Sequence, residues 1–269
     1  MEKLQAALTK ARNQRDKRRV QGVSTRPPKA AKSPPSPSPW ENLAKLELSE
    51  DVLRKHLVVS QKANQASSSF DVLRTRILLQ MQQNEWSRLA ITSPASASGK
   101  TTIACNLALG LGRQSDLRTM LFDFDLGDPS VHKFFGIQKK TDLSDVLFGH
   151  VPLQDHALRI RDNVAVVTSF NADPDPTRLL LSDQMELFIV SAQETYEPDI
   201  LIFDLPAILS GDRARAFLKT VDCALIVARA NRTKLGHFDA CEREVAESTN
   251  VLGVVLNGCH PSAMSQEDM

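Results

Sequence analysis

The sequence predicts an α/β fold in which a mainly parallel central sheet is flanked by helices, giving three layers. Three observations predict it. Six short runs rich in Val, Ile and Leu alternate with longer helix-patterned segments; one run leads through Ser98-Gly99-Lys100-Thr101-Thr102 into a helical pattern; two other runs end in aspartates. Alternating strand and helix give parallel pairing through right-handed crossovers, and the carboxyl ends of such strands are where ligands bind.

In chain order, Met1, Leu4, Leu8 and Ala11 stand at helical spacing among strong helix formers, so residues 1–23 are expected to be a basic N-terminal arm containing a short helix. Residues 24–39 hold six prolines and end in Ser-Pro repeats. That stretch is expected to be an extended, disordered Pro/Ser-rich linker, with the folded domain spanning 40–269. The runs at 87–93, 118–124, 163–169, 199–204, 222–228 and 251–257 each read as strands buried on both faces. Segments 100–112, 177–195, 211–219 and 234–248 read as helices.

The 269 residues are 42% hydrophobic, enough for one sizeable core of about 200 residues with extensions. The net charge of +1 conceals an asymmetry: residues 1–32 carry ten Lys and Arg against Glu2 and Asp16, while the rest is mildly acidic. Such an arm could touch nucleic acid, anionic lipid or an acidic partner, or be a solvated tail, and no specific nucleic-acid partner is expected. Cys105, Cys223, Cys241 and Cys259 lack metal-type spacing and read as free thiols of a reducing cytoplasm, three of them in or beside apolar runs. No apolar stretch approaches the roughly 18 residues that span a bilayer, so contact with a membrane is expected only through a partner or the arm.

The junction at 93–102 has the chemistry of a phosphate-binding loop, and with it the fold is expected to be that of a P-loop NTPase. A strand-to-helix turn aims backbone N–H groups and the positive helix end at one point. Gly99 lets the backbone approach a phosphate, Lys100 adds a charge near the β/γ-phosphates, Thr101 can ligate Mg²⁺, and Thr102 can donate to the α-phosphate. Pro94 stands where the first glycine of G-x-x-x-x-G-K-[ST] belongs. The acidic strand ends supply the rest: Asp123 and Asp125, two apart, project the same way from an extended segment, and Asp204 closes a second strand. One acid can orient the metal while another accepts a proton from the attacking group.

In order, SPASASGKTT, FDFDLGDPSVHKFFG, TDLSDVLFGH, PDPTRLLLSDQM, PDILIFDLPAIL and VLGVVLNGC resemble the cytoplasmic ATPase domain of bacterial tyrosine kinases of capsule and exopolysaccharide synthesis, relatives of the MinD/ParA ATPases. The resemblance runs from about Phe70 to Asn257. It implies that Ser98, Gly99, Lys100, Thr101 and Thr102 hold ATP, that Thr101, Asp123 and Asp204 serve Mg²⁺, and that Asn257 contacts the adenine. It implies catalysis by Lys100, Asp123, Asp125 and Asp204, with the γ-phosphoryl passing to tyrosine. It further implies a homo-oligomer and assembly with a membrane-embedded polysaccharide chain-length regulator through that partner's cytoplasmic segment, placing the protein in the cytoplasm beside the inner membrane.

The chain departs from that pattern at several positions. Tyr196 is the single tyrosine of these 269 residues, where the family carries a tyrosine-rich tail. Ser96, Ala97 and Ser98 replace a Pro-Gly-x run, leaving one glycine in the loop and less freedom for positive φ. Gly127 replaces an arginine, and Ser68 and Asp71 stand in a subunit-contact motif of which Leu73-Arg74-Thr75 survives. Three functions stay open: an ATP-dependent enzyme of the tyrosine-kinase type, a MinD/ParA-like positioning ATPase, and a non-catalytic nucleotide-binding regulatory subunit. The histidines are expected to be structural or solvent-facing, with His132 near enough the acids to approach a nucleotide. Phe134 and Phe135 are expected to pack a helix to the sheet, and Arg213 and Arg215 to lie on a solvated helix face.

Overall fold

A computed structural model of the protein describes residues 38–138 and 141–259. The expected arm at 1–23 and all but the last two residues of the expected linker at 24–39 lie outside the described residues.

The chain runs β1 (Ala44–Lys45), α1 (Glu50–Lys55), a 3-10 turn (Gln65–Ser67), α2 (Ser68–Asn84), β2 (Arg88–Thr92), α3 (Lys100–Leu111) and β3 (Thr119–Asp123). It continues through α4 (Val131–Phe135), α5 (Leu143–Leu147), α6 (Leu153–His156), β4 (Leu158–Arg161), β5 (Val164–Val167), α7 (Pro176–Leu180), α8 (Asp183–Tyr196) and β6 (Ile200–Asp204). A second 3-10 turn (Ile208–Ser210), α9 (Arg213–Leu218), β7 (Cys223–Arg229), α10 (Leu235–Ala246) and β8 (Asn250–Asn257) complete it. The eight strands form one sheet in the order β1-β4-β5-β3-β6-β2-β7-β8. Every neighbouring pair is parallel except β4 with β5.

Period-two alternation divides the core between the two faces. Met120, Phe122, Leu201 and Phe203 pack on one side with Met185, Ile189, Phe217 and Trp40. Leu121, Ile200, Ile202, Leu89 and Ile91 pack on the other with Ile77, Met81, Leu107 and Leu109. The phenylalanines of the first face form a ring cluster: Phe122 stacks on Phe203 at 5.3 Å, and Phe217 meets Phe124 and Phe203 at 4.9 and 5.0 Å. Edge and offset contacts of this kind add to the area buried and give the acidic strand ends above them a stiff floor.

All six expected strands form, and four differences are informative. β8 is an edge strand, so Val254 and Leu256 are exposed instead of buried on both faces. The expected helix at 177–195 is two helices, because Ser182 starts a new one by accepting from the Met185 N–H at 3.2 Å. The 17-residue α2 and the charged strand β4, next to the edge strand β1, were not expected at all. Three cysteines are buried free thiols as expected, while Cys259 is exposed. Among the described residues no helix is long and apolar enough to cross a membrane.

Asn106 explains how α3 is anchored. It is fully buried; its carbonyl oxygen accepts from the Val59 and Ser60 N–H groups, and its amide donates to Leu57 and Thr102. A buried amide with every group satisfied fixes the 57–60 segment against the first turns of the helix that carries Lys100 and Thr101.

Candidate active site

The loop between β2 and α3 is shaped by its own carbonyls. Ser93 and Ser98 hydroxyls both donate to the Ala95 carbonyl at 2.7 Å. Gly99, the N-cap of α3, has φ +96°, and a Cβ there would lie 2.1 Å from the Asn257 amide nitrogen, so only glycine fits. Ala97 also takes positive φ, +58°, a conformation that costs a non-glycine residue about 1 kcal/mol. The loop therefore does adopt the positive φ that its single glycine was expected to discourage.

Two side chains from neighbouring strand ends hold that conformation. Arg229 and Asn257 are register partners on β7 and β8. The Arg229 guanidinium donates to the Ala97 carbonyl at 2.7 Å, and the Asn257 amide donates to the Ser98 carbonyl at 2.9 Å. Turning consecutive carbonyls outward points the intervening N–H groups into the loop, the arrangement that binds phosphate oxygens. Asn257 thus reaches the phosphate loop in this structure, whereas the resemblance implied an adenine contact.

Opposite the loop, β3 and β6 bring their terminal acids side by side as register partners, Asp123 with Asp204. Thr101 donates its hydroxyl to Asp204 Oδ2 at 2.6 Å and lies 3.3 Å from the Ser130 hydroxyl. Asp123 Oδ2 accepts from the Ser130 and Val131 N–H groups at 2.9 Å and from the Thr168 hydroxyl at 3.0 Å. Lys100, 7% exposed, points its ammonium at Asp125 Oδ2, 3.8 Å away. Asp125 lies nearer the surface than the other two acids. Burial, chiefly, pushes both Asp123 and Asp204 well above the usual carboxylate range; the charge of Asp204 adds to the rise at Asp123, and Lys100 opposes it at Asp204.

Asp123 and Asp204 each keep their second oxygen, Oδ1, buried without a hydrogen-bond partner. Such an oxygen is costly, and two of them on neighbouring strand ends, one belonging to the acid that Thr101 bonds, make a hard-oxygen donor set suited to Mg²⁺. Among the described residues no three His, Cys, Asp or Glu side chains are close enough to form a metal cluster. A cation held here would take its remaining ligands from phosphate and water, as Mg²⁺ does in nucleotide sites.

Residues 89–269 match the CobQ/CobB/MinD/ParA nucleotide binding domain, CbiA. The chain belongs to that family. It is similar to tyrosine-protein kinase YwqD of Bacillus subtilis (strain 168), 26% identical over 207 residues, 76% of this chain and 86% of that protein. It is 28% identical over 204 residues to tyrosine-protein kinase etk of Escherichia coli K12, covering 75% of this chain and 28% of the longer relative. The solved kinase domain of the E. coli enzyme superposes with a TM-score of 0.70 at 26% identity, over 82% of this chain and 91% of that domain. The Mg-ADP complex of the septum site-determining protein MinD from Pyrococcus horikoshii shares the fold, with a TM-score of 0.54 at 22% identity over 68% of this chain and 75% of that one. The chain is therefore a nucleotide-binding P-loop domain whose relatives are bacterial tyrosine-protein kinases.

The structure brings Ser98, Gly99, Lys100, Thr101, Asp123, Asp125 and Asp204 to one end of the sheet and adds Asn257 from behind the loop. Thr102 sits half-buried in the first turn of α3, its carbonyl held by Asn106. Four contributors were missed: Ala97 through its backbone, Ser130, Thr168 and Arg229. Arg229 had a usable signal, since it ends an apolar run as the acids do. His132 packs its ring on Phe170 at 4.7 Å, and burial lowers its pKa. Phe135 is buried as expected, and Phe134, partly buried, packs against the same core and also meets the His56 ring at 4.9 Å. Arg215 is held by Glu244 at 2.6 Å.

Proposed function

We propose that this protein is a Mg-ATP-dependent phosphotransferase of the bacterial tyrosine-kinase type, transferring the γ-phosphoryl of ATP to tyrosine on another protein in the assembly or export of a capsule or exopolysaccharide. The observation that carries this reading is the pair of buried, unpartnered carboxylate oxygens of Asp123 and Asp204 beside Thr101 and Lys100. Thr101 and Asp204 would hold Mg²⁺, which would neutralise charge on the β/γ-phosphates. Asp125, more accessible than Asp123 and Asp204 and 3.8 Å from the Lys100 ammonium, would accept the proton of an incoming hydroxyl, while Lys100 would face the phosphates. Asp123, pinned by three donors, would help hold the metal and stabilises the 124–131 turn.

Tyr196 supports an acceptor on a separate chain. It is 4% exposed, closes α8, and lies at the sheet end away from the loop, where Arg118 donates to its carbonyl at 3.4 Å. Partnership with a membrane-embedded chain-length regulator, through that protein's cytoplasmic segment, rests on the kinase relatives and on the resemblance. Self-association rests on the same likeness, although Asp71 of the former subunit-contact position is engaged within its own chain by Arg113 at 2.6 Å and Arg74 at 3.5 Å. The buried tyrosine also favours a second reading, a positioning ATPase of the MinD kind, whose product is free phosphate.

One tube tests both. Purified protein with γ-labelled ATP, with and without the cytoplasmic segment of a candidate regulator, is read separately for phosphotyrosine and free phosphate. Label on the partner's tyrosine, lost in Asp123→Asn, is expected; free phosphate without protein label moves the assignment to the ATPase.

A further inference from the structure

At the opposite end of the sheet, beneath the N-termini of β3 and β5, lies a cavity of about 470 Å³. One strand length, five residues at roughly 3.3 Å each, separates it from the acidic strand ends. Four half-buried arginines line it, Arg113, Arg118, Arg159 and Arg161, above the buried Trp40. Two of them have acidic company elsewhere: Arg113 pairs with Asp71 at 2.6 Å, and Arg118 reaches Glu197 at 4.0 Å while its guanidinium lies 5.5 Å from the Trp40 ring centre.

The other two do not. Arg159 donates to the Glu41 carbonyl and Arg161 to the Gln61 carbonyl, and neither has a carboxylate within ion-pair distance among the described residues. The Arg159 Nε is buried with no hydrogen-bond partner. Of the acids on the wall, exposed Asp162 pairs with Lys45 at 3.0 Å and feels Arg159 and Arg161 only at longer range, and Glu41 accepts from the Ser38 N–H at 3.1 Å. An extra residue in β4, between Arg159 and Arg161, shifts the register against β5 and sets where these two side chains project.

We propose that this cavity is a second anion site, which takes a small molecule carrying a phosphoryl group. Half-buried guanidiniums with no carboxylate in ion-pair contact are costly, and an incoming anion relieves that cost. Two such forks call for a ligand of about two negative charges with several acceptor oxygens; a phosphate ester has both, whereas a single carboxylate satisfies one fork. The volume falls in the range of small-molecule sites, which is ~300–1,000 Å³. The site is independent of the reading of the 93–102 loop and would stand if that reading failed.

Trp40 makes the test local. The chain has two tryptophans, so Trp86→Phe leaves Trp40 as the single indole reporter. Inorganic pyrophosphate, titrated against a chloride control of matched ionic strength, is expected to change Trp40 emission saturably with a midpoint near or below about 1 mM. In the same background, Arg159→Gln and Arg161→Gln are expected to weaken the response about tenfold each, and Lys100→Ala to leave it unchanged. Arg161→Lys, which keeps charge and bulk but loses the planar fork, is expected to fall between and covers the case in which a glutamine variant unfolds. A response absent up to about 20 mM overturns the site. So does a response lost in Lys100→Ala and retained in the arginine variants, because the anion would then be acting through the loop.

Discussion

The two ends of the sheet are built with opposite charge deficits. At the carboxyl end, Asp123 and Asp204 are fully buried with one unpartnered oxygen each. At the amino end, Arg159 and Arg161 are half-buried without a carboxylate. The carboxyl end is crowded with donors; the amino end is open, and Arg159 and Arg161 there are hydrogen-bonded to backbone carbonyls. A deficit kept inside a tight hydrogen-bond frame specifies its ligand's geometry, while one in an open cavity specifies chiefly its charge.

Substitutions at the carboxyl end should break that contrast most severely. Lys100→Ala removes the one ammonium that faces both loop and acids, and turnover is expected to fall about a hundredfold or more, measured as kcat/KM for ATP. Full activity in that variant would remove the loop from the mechanism. Asp123→Asn should lower kcat by one to two orders of magnitude (about 1.4–2.8 kcal/mol) with little change in nucleotide affinity. Equal loss of both would make Asp123 purely structural.

The clamp behind the loop should give a smaller, separable effect. Arg229→Met removes one hydrogen bond to a carbonyl, worth about 1 kcal/mol, and is expected to weaken nucleotide binding several-fold to tenfold. Ala97→Gly should restore most of that loss, since glycine takes φ near +58° without help. Isothermal titration of the two single variants and the double variant reads the coupling directly.

The smallest effect is one of pH. A carboxyl whose folded pKa lies above its unfolded value binds more protons when folded, so stability falls as pH rises from about 4 toward the raised values. The nucleotide-free protein is expected to lose a few degrees of thermal midpoint between about pH 5 and 8, at roughly 2–4 °C per kcal/mol for a domain of this size. Asp204→Asn should flatten that slope, and Mg-ATP should reverse it in the unsubstituted protein. A midpoint that rises over the same interval would contradict the burial of the pair.

What the sequence shows plainly is what is local. Ser98 to Thr102 and the strands ending in Asp123 and Asp204 announce themselves because the phosphate loop and the apolar-run-plus-acid pattern each need only a few consecutive residues. Arg229 and Asn257 become partners only because β7 and β8 lie adjacent in register, a tertiary fact. β4 was hidden because Leu-Arg-Ile-Arg is half polar and pairs at the sheet margin, where burial does not demand a continuous apolar run. In α2 the apolar residues ring the helix: Ile77, Leu78 and Met81 are buried while Val72 and Leu79 face solvent, so no single stripe marks it.

The bond from Asn257 to the Ser98 carbonyl spans 159 positions of chain. During synthesis the loop, the strand before it and the helix after it leave the ribosome long before the strand that fixes the loop's shape exists. Core packing by β2, β3 and β6 precedes it in chain order, so a nascent chain can acquire its central layers while its nucleotide site is still unset. Competence to bind is then gained only after the central layers are made, a timing that would keep partially made chains from consuming ATP.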